Sequence, residues 1–507
     1  MNNYQKINPA KKSLIIITIM LVAILEVLDS TIVNVALPNM MPSLGANQDQ
    51  ITWVLTSYVV AAAMMLPLTG FLSARFGIKK LLIIDVAGFM ASSFLCGLSN
   101  NLDLMVFLRL CQGAFGASLI PLSQSVLRES FPLEEQGKAM AIWGLGIMAA
   151  PVFGPTLGGF ITEHTSWRWI FYLNAPICLF ALIMIFLVIP DSKQSSRKLD
   201  YLGTFFMFVG IGCLQIFLDQ GNSKGWFSSD FILLMGIISL IGILLFLYRS
   251  FTNVIPVVKL IIFKNINFSL CTILLALFCA CLFGFITLQP IMLENLFHYT
   301  PMLAGMTMMG IGLSSALAMV LTPILMKKIS VKFILCFSLI VSSLGIYLMS
   351  TLSLETARIN FIISNAILGF GLGFFMVPLT TYSLATLHAE DITEGAGLFT
   401  YGRMLGTSIG ISLLSTFIAR KTQLNWSQLT ANINIDNPNL TIWLQHQHLN
   451  LHNPKALIEL QTLLSTQSSM IAFINAYRLI AIILICLVPL VLLLKNVLLK
   501  EKINSAH

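Results

Sequence analysis

Fourteen apolar runs constrain this chain more than anything else in it. Each is close to the roughly 20 residues that an α-helix needs to cross a bilayer. They fall at 14–37, 51–72, 79–98, 102–127, 137–160, 167–189, 200–219, 230–250, 266–292, 302–326, 332–351, 357–384, 394–419 and 470–497. In lipid, a segment must satisfy its own backbone hydrogen bonds, which a helix does and an isolated strand does not. The expected fold class is therefore an all-α membrane protein. Composition agrees. Only 10% of the 507 residues are charged and 57% are hydrophobic, with a mean hydropathy of +0.87. A soluble domain carries about 25% charged residues. A soluble enzyme, a nucleic-acid binder and a disordered regulator are all disfavoured.

The few charges are unevenly placed. If the N-terminus is cytoplasmic, that side of the membrane holds 20 of the 29 Lys and Arg residues and the other side holds 7. Such a bias is the signature of topology. It accounts for the net charge of +8 without nucleic acid. An even number of spans puts both termini in the cytoplasm, as tails over 1–13 and 498–507. The first run, of about 24 residues, is too long for a signal-peptide core and reads as a retained helix. The polar stretch 420–469 falls outside, as a periplasmic loop. His446, His448 and His452 in it read as solvated loop residues, so no metal site is expected. All nine cysteines lie in apolar runs and read as small buried residues.

An internal repeat divides the spans. Gly116, Pro121 and Leu122 in span four match Gly373, Pro378 and Leu379 in span twelve at an offset of 257, and Gly137 with Gly395 continues the relation. Spans one to six (14–189) and nine to fourteen (266–497) then form parallel six-helix bundles, with spans seven and eight (200–250) inserted between them. That is a transporter architecture.

Four charges inside the spans stand out: Glu26, Asp29, Arg109 and Arg403. A charge at the bilayer centre costs at least about 2.5–3.5 kcal/mol, which makes it a functional candidate by default. Glu26 and Asp29, three apart, share a helix face. At ~1.5 Å per residue, Asp29 lies about 22 Å into span one. Arg109 enters from the opposite face, so the two meet at similar depth in a core about 30 Å thick. A carboxyl between burial, which favours the acid, and an arginine, which favours the anion, can exchange a proton and hold or release its partner. Asp29 with Arg109, and Glu26 beside them, are the expected proton-coupling residues.

Two further strings look conformational. Gly154-Pro155-Thr156-Leu157-Gly158-Gly159 is expected to interrupt span five with a bend, because Pro155 removes a backbone donor and the glycines allow close helix contact. Gly70 and Gly77 bracket Arg75 between spans two and three and suggest a tight turn. Ligand sites are mostly apolar with a few polar groups. The polar candidates for a substrate pocket are Asn34, Gln112, Gln124, Gln289, Asn365 and Arg403, with Met and Phe as adaptable walls.

Together these strings resemble the major facilitator superfamily, and within it the fourteen-helix drug:proton antiporters of the EmrB/QacA type. Leu28-Asp29-Ser30-Thr31-Ile32-Val33-Asn34-Val35-Ala36-Leu37-Pro38 is similar to that family's first-helix motif. Arg109, Gln112, Gly113 and Gly116 resemble its span-four motif, and Gly154, Pro155, Gly158 and Gly159 its antiporter motif. Trp167-Arg168-Trp169-Ile170-Phe171 with Asn174-Ala175-Pro176, Leu218-Asp219-Gln220-Gly221 and Met376-Val377-Pro378-Leu379-Thr380-Thr381 extend the likeness. One departure is Ala74, where the family usually carries an acidic residue.

The resemblance implies the major facilitator fold and export of hydrophobic or amphipathic drugs across a bacterial inner membrane against inward proton flow. It implies no cofactor beyond the proton motive force. The implied partners are membrane lipid, an EmrA-like periplasmic adaptor and a TolC-like outer-membrane channel. A dedicated exporter of one metabolite or siderophore is the alternative within transport. A polytopic receptor or membrane enzyme is a further one, although the chain has no Walker loop, HExxH or paired catalytic histidines.

Overall fold

The computed structural model describes residues 9–191, 200–252, 258–388, 391–431, 433, 440, 442 and 454–495, apart from the side chains of a few helical positions. His446, His448 and His452 lie outside the described residues. The described residues build fourteen long helices. In order they are α1 (Pro9–Leu44), α2 (Trp53–Phe76), α3 (Ile78–Leu98), α4 (Leu102–Ser130), α5 (Leu133–His164), α6 (Trp169–Val188) and α7 (Tyr201–Gly221). Then follow α8 (Asp230–Thr252), α9 (Ile266–Phe297), α10 (Pro301–Met326), α11 (Val331–Met349), α12 (Arg358–Ala385), α13 (Ile392–Thr430) and α14 (Ala456–Leu492). Thirteen are long and apolar enough along their described residues to span a bilayer, and α5, with 32 residues, takes the fourteenth place.

Local chemistry sets several ends. Asn101 accepts from the Leu104 N–H to open α4, Asp200 from Gly203 to open α7, and Thr300 from Leu303 to open α10. Each satisfies an orphan donor of a first turn. Two helices outrun the lengths expected from sequence. α13 continues to Thr430 and the helix containing α14 begins at Pro454. Both ends of the stretch expected to be loop are therefore helical. At 1.5 Å per residue, the 39 residues of α13 reach well past a ~30 Å core.

The helix pairings repeat. In the first bundle α1 packs on α5, α2 on α4 and α3 on α6. In the second, α9 packs on α13, α10 on α12 and α11 on α14. The shared proline acts differently in the two copies. α4 is broken into Leu102–Gly116 and Leu119–Ser130, because Pro121 has no N–H for the Ala117 carbonyl. α12 stays helical through Pro378.

We call the face carrying Lys12, Arg75, Lys79, Lys80 and Arg128 the basic face. The bundles meet close to it. Ala62, Leu66 and Ala117 pack against Tyr401 and Met404, and Ala141 packs with Met319 and Val377. A Cβ at Gly70 would lie 2.7 Å from the Glu394 Cα, so α2 and α13 touch backbone to backbone there. At the far face α7 bridges the seam between α2 and α13. Thr56 of α2 donates to Asp219 at 2.6 Å. Gln215 donates to Ser408 of α13 at 2.7 Å, and Ser412 donates to the Leu218 carbonyl. α7 and α8 pair through Gly210 and Gly242, where any Cβ would strike backbone at 2.7–2.8 Å. Leu240, Leu244 and Tyr248 of α8 are exposed along one face, the stripe that lipid would cover. The nine cysteines are all free. Cys486 is exposed on the apolar surface, against the expectation that all are buried.

Candidate functional site

Asp29 and Arg109 form an ion pair of 2.6 Å, each side chain 1% exposed. The partners come from α1 and α4, helices that run in opposite directions, and the two side chains are in direct contact. Every oxygen of the carboxylate is engaged. Arg109 Nη1 donates to Oδ2, while Gln112 Nε2 and Asn174 Nδ2 both donate to Oδ1, at 2.9 and 2.8 Å. Arg109 is held as fully. Its Nε donates to the Val54 carbonyl of α2 at 3.0 Å and its Nη1 also reaches Gln112 Oε1 at 2.8 Å. The Tyr58 ring lies 4.3 Å from the guanidinium carbon, a cation–π contact worth most where water is excluded. Asn174 also donates to Ser93 of α3, which donates to the Phe171 carbonyl. Five helices of the first bundle thus converge on one buried charge pair, a geometry whose cost is offset only when every polar atom is satisfied.

Glu26 is placed differently. Its Oε2 is buried without a hydrogen-bond partner among the described residues. Its opposite charge is Arg403 of α13, which acts on it electrostatically across the two bundles, outside ion-pair distance. Glu26 and Arg403 therefore belong to the seam, whereas Asp29 and Arg109 belong to the interior of one bundle.

The polar residues suggested for a pocket separate into groups. Gln112 is fully buried and belongs to the Asp29 network. Gln289 and Asn365, also fully buried, bond to each other at 3.1 Å inside the second bundle, and Asn365 donates to the Thr307 carbonyl. These three lie inside the bundles, bonded to other side chains. Gln124 is 5% exposed with an unpartnered Oε1. Asn34 is exposed and donates to the Ser30 carbonyl of its own helix.

The glycine strings also resolve. The helix assignment of α5 runs through the Gly-Pro string without a break. Its backbone is helical from Leu133 to His164. Gly154 and Gly158 instead let α5 lie against α1, since a Cβ at Gly154 would sit 2.2 Å from Thr31 Oγ1 and one at Gly158 3.0 Å from the Ile32 carbonyl. Those contacts begin two residues after Asp29. The Pro155 side chain lies outside the described residues. Gly77, at φ +81°, makes the turn between α2 and α3, a conformation costly for residues with a Cβ. Gly70 serves the contact with α13 instead, and Arg75 is exposed.

Sequence reasoning missed Asp85, which is 6% exposed on α3 and accepts a hydrogen bond from Ser118. It gave no role to Asn174 or Ser93. Asp85 was detectable as a carboxyl seven residues into an apolar run. The others required knowing which helices touch.

The family model of the Major Facilitator Superfamily matches residues 19–411. The chain is 34% identical over 432 residues to the multidrug export protein EmrB of Haemophilus influenzae, covering 84% of each chain. It is 33% identical over 436 residues to the fatty acid resistance protein FarB of Neisseria gonorrhoeae, covering 85% of each. Among solved structures it is similar to the proton:xylose symporter XylE, with a TM-score of 0.59 at 13% identity, over 94% of this chain and 95% of that one. The last likeness concerns the fold alone.

Proposed function

The chain belongs to the Major Facilitator Superfamily, a family of transporters and not of enzymes, and from that premise we propose that it is a proton-coupled antiporter exporting hydrophobic or amphipathic small molecules. In this reading the basic face is cytoplasmic, in accord with the positive-inside rule. The membrane is the inner membrane of a bacterium, and the far face delivers substrate to a periplasmic adaptor and an outer-membrane channel. The names of the relatives EmrB and FarB support the substrate class.

The observation that carries the coupling is the buried Asp29–Arg109 pair. A guanidinium is cationic across the physiological pH range. A proton on Asp29 therefore leaves a buried guanidinium facing a neutral acid, and it leaves two amide donors facing one weaker acceptor. Removing one partner of a buried pair costs about 3–5 kcal/mol. Taking a two-state equilibrium from 1:99 to 99:1 requires about 5.5 kcal/mol. One proton is thus of the right size to bias two arrangements of the first bundle, with substrate binding supplying the rest. α5 lies against α1 through Gly154 and Gly158, and α5 packs on α10. A shift of α1 at Asp29 therefore has a direct route to the seam.

The reading is tested in proteoliposomes holding the purified protein and an imposed pH gradient, with ethidium as probe. Uphill ethidium movement opposite to the proton gradient is expected, and its reversal when the gradient is reversed. Movement indifferent to the gradient would refute coupling. A susceptibility panel with and without the adaptor separates the multidrug reading from a dedicated exporter. Resistance to several unrelated lipophilic compounds is expected, whereas resistance to a single compound class would favour the dedicated one.

A further inference from the structure

Asp85 is a membrane-embedded carboxyl that the coupling site does not use. It sits on α3 at 6% exposure, and among the described residues its one recorded partner is the Ser118 hydroxyl. Ser118 is 5% exposed and occupies the joint of α4, between the segment that ends at Gly116 and the one that begins at Leu119. The two segments do different work. The first carries Arg109 and Gln112, which hold Asp29. The second packs on α13 of the other bundle, and Ala117 beside the joint packs with Leu66, Tyr401 and Met404 where the bundles close. Arg109 and Ser118 are nine residues apart, about 13 Å along the axis at ~1.5 Å per residue.

The charged neighbours are few. Of the elements packed on α3, the α2 end offers Arg75, the outer α4 segment Asp103, Arg109 and Cys111, the inner segment Arg128 and Glu129, and α6 Tyr172 and Cys178. α3 itself carries Lys79 and Lys80. Arg109 is committed to Asp29 and Lys79 pairs with Asp191. None of these groups is recorded bonding to Asp85. A buried carboxylate with a single neutral donor is poorly compensated. A protonated one makes the same contact with the hydrogen bond reversed, since a hydroxyl both donates and accepts.

We propose that Asp85 is a second proton-binding site, whose occupancy sets how α3 packs against the joint of α4 and so links the Asp29–Arg109 pair to closure of the basic face. It rests on the proton-coupled reading above. The step is a single proton exchange with water. The carboxylate gains a proton, becomes the donor to Ser118, and no other bond is made or broken.

Infrared pH-difference spectra of the purified full chain in lipid nanodiscs test this without transport. Asp85→Asn is expected to delete one protonated-carboxyl band. Ser118→Ala keeps the carboxyl but is expected to displace that band's midpoint by about tenfold in proton concentration, the scale of one hydrogen bond to a charged group. In proteoliposomes, Asp85→Asn is expected to alter the pH profile of ethidium transport. Spectra of Asp85→Asn that superimpose on wild type, or a Ser118→Ala midpoint that does not move, would overturn the proposal. Failure of the underlying reading looks different: the Asp85 band persists, while transport ignores the proton gradient in every variant.

Discussion

Corresponding helices of the two bundles carry two versions of one polar knot. In the first, Asp29 on α1 meets Arg109 on α4, and Arg109 donates to the Val54 carbonyl of α2. In the second, Gln289 on α9 meets Asn365 on α12, and Asn365 donates to the Thr307 carbonyl of α10. The scaffold is the same, with a side chain on the fourth helix tied to the first helix and to the backbone of the second. The chemistry differs. One copy can change charge by taking a proton and the other cannot. The difference teaches that the repeat supplies geometry to both halves while an ionisable pair occupies the knot of one.

Breaking the charged knot from one side is expected to have the largest effect. Arg109→Ala strands a buried carboxylate, at a cost of about 3–5 kcal/mol. Transport should be lost and thermal unfolding of the purified protein should fall sharply. Wild-type transport at normal expression would remove Arg109 from the mechanism. Converting the first knot into a likeness of the second is more discriminating. The double variant Asp29→Gln, Arg109→Asn removes both charges together. Replacement of a buried pair by neutral groups is often close to neutral in stability, so the protein should fold while ethidium transport no longer responds to a pH gradient. A retained response would mean that the charged knot is not the coupling site.

A smaller effect is expected from the converse test in the other bundle. Asn365→Leu leaves Gln289 and the Thr307 carbonyl short of a partner, at about 1–3 kcal/mol. Stability should drop, while whatever transport remains keeps its pH dependence. A changed pH profile would show that the neutral knot also takes part. Gly154→Ala comes next. Its Cβ collides with Thr31 Oγ1, so α1 and α5 must separate slightly, and the expected outcome is reduced transport with gradient dependence intact. Tyr58→Phe should be the mildest, because the ring that covers Arg109 is kept and the hydroxyl it removes has no partner among the described residues.

Much of this was legible before any coordinates. Spans follow from apolar length because lipid leaves the backbone no alternative. The repeat, the inserted pair of helices and the shared depth of Asp29 and Arg109 all follow from counting residues. What counting could not give is which surface of a helix faces its neighbour. Gln112, Gln289 and Asn365 read as pocket residues because a polar residue in an apolar run suits a ligand as well as another helix. Only the packing separates the two uses. Helix ends outside the bilayer were equally hidden. Toward the far face α13 and α14 are tied together, with Asn425 donating to the Ser468 carbonyl. At Pro155 the backbone keeps its helical assignment through the proline, with α5 lying against α1 at Gly154 and Gly158. Asp85 is legible in the sequence as a carboxyl inside the apolar run 79–98.

The central claim is that the proton site lies in the charged knot and nowhere in its neutral counterpart. It is tested most directly by counting protons released when ethidium binds to purified wild type, Asp29→Asn and Asn365→Leu in lightly buffered solution. The account predicts release from wild type and from Asn365→Leu, and a loss of at least one proton per ethidium in Asp29→Asn. Equal release from wild type and Asp29→Asn would contradict it.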